Sequence, residues 1–289
     1  MEVKTLYETS NILGEGPVWS PEEQALYWVD IERPSIQRLE IGTDEYTAWE
    51  MPSRIGCFAF RERGGIIAAL RSGLTFFDPE HEIFTPIVDP EADIETNRFN
   101  DGKCDRNGRL WAGTMHLTTS EPTGALYRYE SGGKLQKMRE KGTCSNGLGW
   151  SPDNRTMYYT DTPTNTIFAY DYEEETGNIS NVRPFAQVSG EDGFPDGLTV
   201  DAEGYVWSAM WDGWRIIRYA PDGSVDKEIK MPVQRPTSCT FGGPDLTHLY
   251  VTSASVNLTD EELEQQPLAG SVFVIETGVK GMLAPKFAG

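Results

Sequence analysis

Four oxygen-bearing side chains recur at one place in a repeating pattern: Glu15 in GEGPVWS, Asn100 in RFNDGKCD, Asn146 in SNGLGWS and Asp196 in PDGLTVD. Each stands five residues before a Ser or Asp that opens a turn, and each turn leads into a short apolar run carrying an aromatic residue. Two carboxylates and two amides, with no His or Cys among them, suit a hard divalent ion. Ca²⁺ comes first by ligand type, Mg²⁺ and Mn²⁺ follow, and Zn²⁺ or Fe²⁺ also accept carboxylate oxygen. Converging like charges repel unless a cation or a proton intervenes. The same residues have a plainer reading, because Asn-Gly and Asp-Gly pairs favour turns and polar side chains line water-filled channels. Spacing alone leaves both open.

The elements that must bring these residues together are themselves repeated. Two weaker copies of the pattern, at Gly56 and Ser238, fill the gaps, and the six positions are separated by 41, 44, 46, 50 and 42 residues. Repeats of this length, strand then Gly/Asp/Asn turn then strand, predict an all-β chain folded as a six-bladed β-propeller. No Ser/Gly run, Pro tract or charged block interrupts them, so residues 1–289 read as a single domain. In a propeller the first strand of each blade lines the central channel. Glu15, Gly56, Asn100, Asn146, Asp196 and Ser238 are therefore expected in one ring near the channel mouth. Residues 2–8 alternate like an edge strand and are expected to complete the last blade beside residues 270–277. Thr259 followed by Glu262 fits a capping box, predicting one or two helical turns in the insertion at 257–270. HLTTSEPT, WDGWR and that insertion read as loops above the ring.

Composition narrows the function classes. With 25 basic against 45 acidic residues the net charge is −20, which disfavours nucleic acid as a partner. Met1 runs into EVKTLYETS without a basic or apolar leader, and no run of 18 apolar residues occurs. The expectation is a cytoplasmic protein without a membrane span. Cys57, Cys104, Cys144 and Cys239 form no CxxC pair and are expected as buried free thiols. Only three His are present, and HExxH, G-x-S-x-G and a phosphate loop are absent. A Ser-His-Asp hydrolase is therefore poorly supported. The DRNG segment at Asp105 lacks the spacing of a calcium loop and reads as a hairpin turn.

The segments GEGPVW, RFNDGKCDRNGRLWAGTM, SNGLGWSPDNRTMYYTDT, PDGLTVDAEGYVWSAMW and RPTSCTFGGPDLTHLYVTSA together resemble the SMP-30/gluconolactonase/regucalcin family, over about residues 13–255. That resemblance implies a six-bladed propeller that hydrolyses sugar lactones with one divalent metal ion. It places the metal ligands on Glu15, Asn146 and Asp196 and the substrate contacts on Arg98 and Asn100. One departure matters. Animal members carry a Glu shortly after the GTM motif, where this chain has Thr118, whereas His116 directly after GTM matches bacterial members. The implied substrate is a small sugar lactone of the bacterial sugar-acid type, with His116 and Thr118 beside it.

Lactone hydrolysis requires a polarised carbonyl, an activated water and relief of the oxyanion charge. Asp196 is the expected general base, with a hydroxide on the ion as the alternative. Arg98 and Asn100 would hold ring hydroxyls or the carbonyl, and Asp101 is expected to buttress the turn. Trp19, Trp111, Trp150 and Trp207 read as core, whereas Trp211 and Trp214 are candidates for sugar stacking. Two other functions fit the scaffold: a metal-dependent phosphotriesterase, and a calcium-binding regulatory or interaction propeller without turnover. Nothing in the repeats fixes an oligomeric state.

Overall fold

In the computed structural model, which describes residues 1–289, the chain forms six four-stranded antiparallel sheets arranged as a β-propeller. The inner strands are Gly14–Ser20, Ile55–Phe60, Asn97–Cys104, Ser145–Trp150, Phe194–Val200 and Pro236–Gly242. Five sheets run outward in chain order. The sixth is completed by the N-terminal strand Val3–Tyr7, which pairs with Val272–Glu276 in the register Val3 to Ile275 and Thr5 to Phe273. The closure expected for residues 2–8 is present.

Burial follows position in the blade. Strands near the axis have neighbouring blades on both faces and read as continuous apolar runs, as in Ala25–Asp30, which is buried throughout. Outermost strands such as Tyr46–Glu50 and Val225–Lys230 are largely exposed. That gradient explains one strand that the pattern missed: Leu135–Gly142, LQKMREKG, is the outer strand of blade three and carries little apolar signal. The core is divided into six clusters, each filling a seam between adjacent blades. Trp19, Trp111, Trp150 and Trp207 all lie in these seams, as expected.

Each inner strand loses its regular pairing at the ring position or right beside it. In blades one, three, four and five two residues oppose one: Gly16–Pro17, Asn100–Asp101, Asn146–Gly147 and Asp196–Gly197. Such bulges re-aim side chains that a regular pleat would send into the blade seams. Five residues on, an aspartate secures the far end of the strand in two blades. Asp105 accepts from Trp111 Nε1 (2.9 Å) and Arg109 Nε (2.7 Å), and Asp201 does the same with Trp207 Nε1 (2.9 Å) and Arg218 Nε (3.0 Å). The DRNG segment is thus a turn, closed by Gly108 N–H on the Asp105 carbonyl.

The short helix Asp260–Gln265 carries the expected capping box between Thr259 and Glu262. No helix is long and apolar enough to cross a membrane. All four cysteines are free and buried. The C-terminal segment crosses the end of the axis opposite the ring positions. Its backbone bonds to Ala202 in blade five, Leu246 in blade six, Glu62 and Phe60 in blade two and Gly108 in blade three. Ala284 and Pro285 cap the narrow axial space lined by Asp101, Lys103, Cys57 and Ser238.

Candidate active site

At the bulged end of the inner strands a cavity of about 470 Å³ is bordered by Glu15, Asn100, Asn146 and Asp196, contributed by four different blades. All four side chains are more than nine-tenths buried, as is Arg98 beside them. The expected ring is otherwise divided. Gly56 contributes no side chain, and a Cβ there would lie 2.3 Å from the Asn100 carbonyl, so the glycine lets two inner strands approach. Ser238 borders the narrower axial space beneath. The bulge at Asn100–Asp101 sends consecutive side chains to different places: Asn100 to the cavity and Asp101 to the space below.

Hydrogen bonds hold the amides in a chain. Arg98 Nη1 donates to the Phe99 carbonyl (2.9 Å) and to Asn100 Oδ1 (2.6 Å). Asn146 Nδ2 donates to Thr162 Oγ1 (2.8 Å), which donates to the carbonyl of Pro195 (2.8 Å), the residue before Asp196.

The carboxylates are not compensated in this way. Glu15 Oε2 accepts only from the N–H of Gly16 (2.7 Å). Burial, and then the charge of Asp101, push Glu15 above the ordinary carboxylate range, with Gly16 N–H and Arg98 opposing. Asp196 is raised more strongly, by burial first and then by Glu15 and Asp101. Asp101 is raised by burial and eased by Lys103, whose ammonium donates to the Leu198 carbonyl (3.0 Å). Three buried acids thus share one neighbourhood with little internal compensation, an arrangement that a cation relieves. No group of three or more His, Cys, Asp or Glu side chains is close enough to share an ion. A mixed set could hold one: Glu15, Asp196 and the amide oxygen of Asn146 border the same cavity and are all hard oxygen donors.

The rest of the wall differs in part from expectation. His116 and Thr118 do not border the cavity. They contact each other instead, with Thr118 Oγ1 3.0 Å from His116 Nδ1. The loop turns there through a Thr119 N–H bond to the His116 carbonyl, and Thr119, in left-handed conformation at φ 52°, reaches the cavity. Of the two loop tryptophans, Trp211 borders the cavity with Phe194, while Trp214 lies outside it and is 36% exposed.

One charged wall residue went unread in the sequence. Glu32 borders the cavity, and Arg54 Nε (3.0 Å) and Nη2 (2.6 Å) both donate to its Oε2. Its only sequence signal is its place two residues past the buried strand Ala25–Asp30 in blade one.

The model of the SMP-30/gluconolactonase/LRE-like region matches residues 13–255. The chain is 40% identical over 289 residues to a 6-deoxy-6-sulfogluconolactonase of Pseudomonas putida, covering 99% of both chains. It is 38% identical over 288 residues to an L-arabinolactonase of Azospirillum brasilense, covering 98% of this chain and 95% of the other. Among solved structures it resembles a regucalcin of Agrobacterium tumefaciens described as a calcium-binding protein. The TM-score is 0.94 at 30% identity, covering 98% of this chain and 96% of that one.

Proposed function

The chain belongs to the SMP-30/gluconolactonase/LRE-like family, and from that premise we propose that it hydrolyses aldonolactones to aldonic acids with the help of one divalent ion. It is a hydrolase of cyclic carboxylic esters, like the sugar lactonases it is similar to. The proposed substrates are lactones of the gluconolactone or pentonolactone type. The observation that carries the reading is the convergence of Glu15, Asn100, Asn146 and Asp196 from four blades on one cavity beside Arg98.

Glu15, Asn146 and Asp196 would hold the ion, with Ca²⁺ favoured by ligand type. When bound, it polarises the lactone carbonyl and offsets the charge that develops on its oxygen. The chain's own groups do the rest. Asp196 is placed to act as the base, because it borders the cavity beside Glu15 and Asn146 and is ionised once the ion is bound. It takes one proton from water as the water oxygen bonds to the carbonyl carbon. It returns that proton to the ring oxygen as the acyl C–O bond breaks, leaving the open-chain acid. Arg98, whose Nη1 is held by the Phe99 carbonyl and Asn100, donates to substrate oxygens through Nε and Nη2. Asn100, whose amide hydrogens are held by Ser145 and Asn146, accepts from a substrate hydroxyl through Oδ1. Glu32, oriented by Arg54 through one oxygen, offers the other as an acceptor for a sugar hydroxyl. In this role Glu32 serves where Thr118 stands in place of the acid of animal members.

A pH-indicator screen of aldonolactones tests the reading, run on chelated protein with Ca²⁺, Mg²⁺, Mn²⁺, Zn²⁺ or Fe²⁺ restored in turn. Turnover that follows the ion supports it. Tight Ca²⁺ binding without turnover of any lactone would replace it with a regulatory calcium-binding role. Faster cleavage of phosphotriesters than of lactones would replace it with a phosphotriesterase.

A further inference from the structure

Arg235 lies outside the cavity yet touches two pieces of its wall. It immediately precedes the inner strand Pro236–Gly242 of blade six. Its Nε donates to Asp212 Oδ1 (2.6 Å), its Nη1 donates to the carbonyl of Val256, and its guanidinium carbon lies 5.0 Å from the centre of the Trp211 ring. Trp211 belongs to blade five, whereas Val256 and Asn257 open the insertion of blade six, and all three border the cavity. One guanidinium therefore joins two walls that no strand pairing connects.

The surroundings fix Arg235 in turn. Its carbonyl accepts from Ala254 N–H (3.0 Å). Gln234 Nε2 gives Asp212 Oδ1 a second hydrogen bond (2.8 Å), and Gln234 N–H donates to Gln266 Oε1 (2.7 Å) at the end of the short helix. The Arg235 side chain is 12% exposed, so these contacts are largely shielded from water. A planar guanidinium can serve a carboxylate, a carbonyl and an aromatic face at once, which a lysine ammonium cannot.

We propose that Arg235 is a positioning residue that holds Trp211 as the platform for the lactone ring. By fixing the gap between Trp211 and the Val256–Asn257 edge, it sets which lactone ring size the site accepts. The indole offers a flat apolar surface for the C–H face of a cyclic sugar. Five- and six-membered rings differ in width by about one carbon, and displacing a wall by about 1 Å can change rates up to roughly a hundredfold. The proposal rests on the lactonase reading above.

The test compares Arg235→Lys, Arg235→Ala, Trp211→Ala and the double variant Trp211→Ala/Arg235→Lys on a hexono-1,5-lactone and a pentono-1,4-lactone. Arg235→Lys is expected to shift the ratio of the two kcat/KM values by about five- to tenfold, carried by KM, with kcat within about twofold. Trp211→Ala should shift the same ratio, and adding Arg235→Lys to it should change nothing further. Circular dichroism and Tm identify a variant that fails to fold, and if Arg235→Ala fails the lysine variant still reports. Unchanged KM values in folded Arg235→Lys, or effects of the two substitutions that multiply, overturn the proposal while leaving the lactonase reading intact. Absence of lactone turnover in the unmutated protein removes that reading and the proposal with it.

Discussion

The side-chain amide of Asn100 donates to the side-chain oxygen of Asn146 at 2.9 Å, across the seam between blades three and four. The same nitrogen donates to the Ser145 carbonyl (2.9 Å), so Asn100 presents the Asn146 oxygen as well as bordering the cavity itself. Asn100→Ala should leave the fold intact and weaken divalent-ion binding by about tenfold or more, as loss of a ligand-orienting partner generally does. Calorimetric titration checks this, and unchanged affinity would mean that Thr162 alone orients Asn146.

Asp196→Asn keeps the shape of the side chain and removes its proton affinity. Lactone turnover should fall by at least about 10²-fold, the usual contribution of a positioned base, with Tm little changed. A folded variant with undiminished kcat would exclude Asp196 as the base.

Ion removal and pH should be linked. Glu15, Asp101 and Asp196 have raised proton affinities in the folded ion-free protein, so that state holds protons the unfolded chain has already released. The stability that these three groups contribute to the chelated protein is then fully present below ordinary carboxylate pKa values and is lost as pH rises through the raised ones. Ion binding needs the ionised forms, so it opposes the decline. The Tm gap between loaded and chelated protein should widen between about pH 5 and pH 8. A gap independent of pH in differential scanning fluorimetry would contradict the assigned ligand set.

Away from the cavity, Asp201 is fully buried and accepts from Trp207 Nε1 and from Arg218 Nε and Nη2. Asp201→Ala leaves Trp207 Nε1 and Arg218 Nε without an acceptor, while Glu203 and Asp226 still pair the guanidinium, and should cost about 3 kcal/mol. That corresponds to a fall in Tm of roughly 10 °C. A shift of only a degree or two in a calorimetric scan would show that Glu203 and Asp226 suffice to hold Arg218.

The repeat was legible because each blade solves the same packing problem with the same parts: a polar bulge, a turn and an aromatic strand. Glu15, Asn100, Asn146 and Asp196 were readable for that reason, and so was the pairing of residues 2–8 with the last blade. Ser238 and Gly56 share the spacing without sharing the cavity, since periodicity fixes height around the axis but not the reach of a side chain. Glu32, Arg54 and Arg235 carry no periodic mark at all. They act through contacts between loops 21 to 23 residues apart, which follow no repeat position. After GTM, His116 and Thr118 contact each other and Thr119, in left-handed conformation, borders the cavity, a local turn that the repeat does not encode. The outer strand Leu135–Gly142 is polar because water, not a neighbouring blade, covers it.

The C-terminal segment across the far end of the axis has a bearing on traffic through the protein. With Ala284 and Pro285 seated there, reactant and product must share one doorway. On the proposed reading an aldonolactone enters uncharged and its hydrolysis product leaves as an anion, inside a molecule that itself carries a charge of −20. Ring opening thus converts an indifferent guest into one that the surrounding field expels, which clears the single entrance for the next turnover.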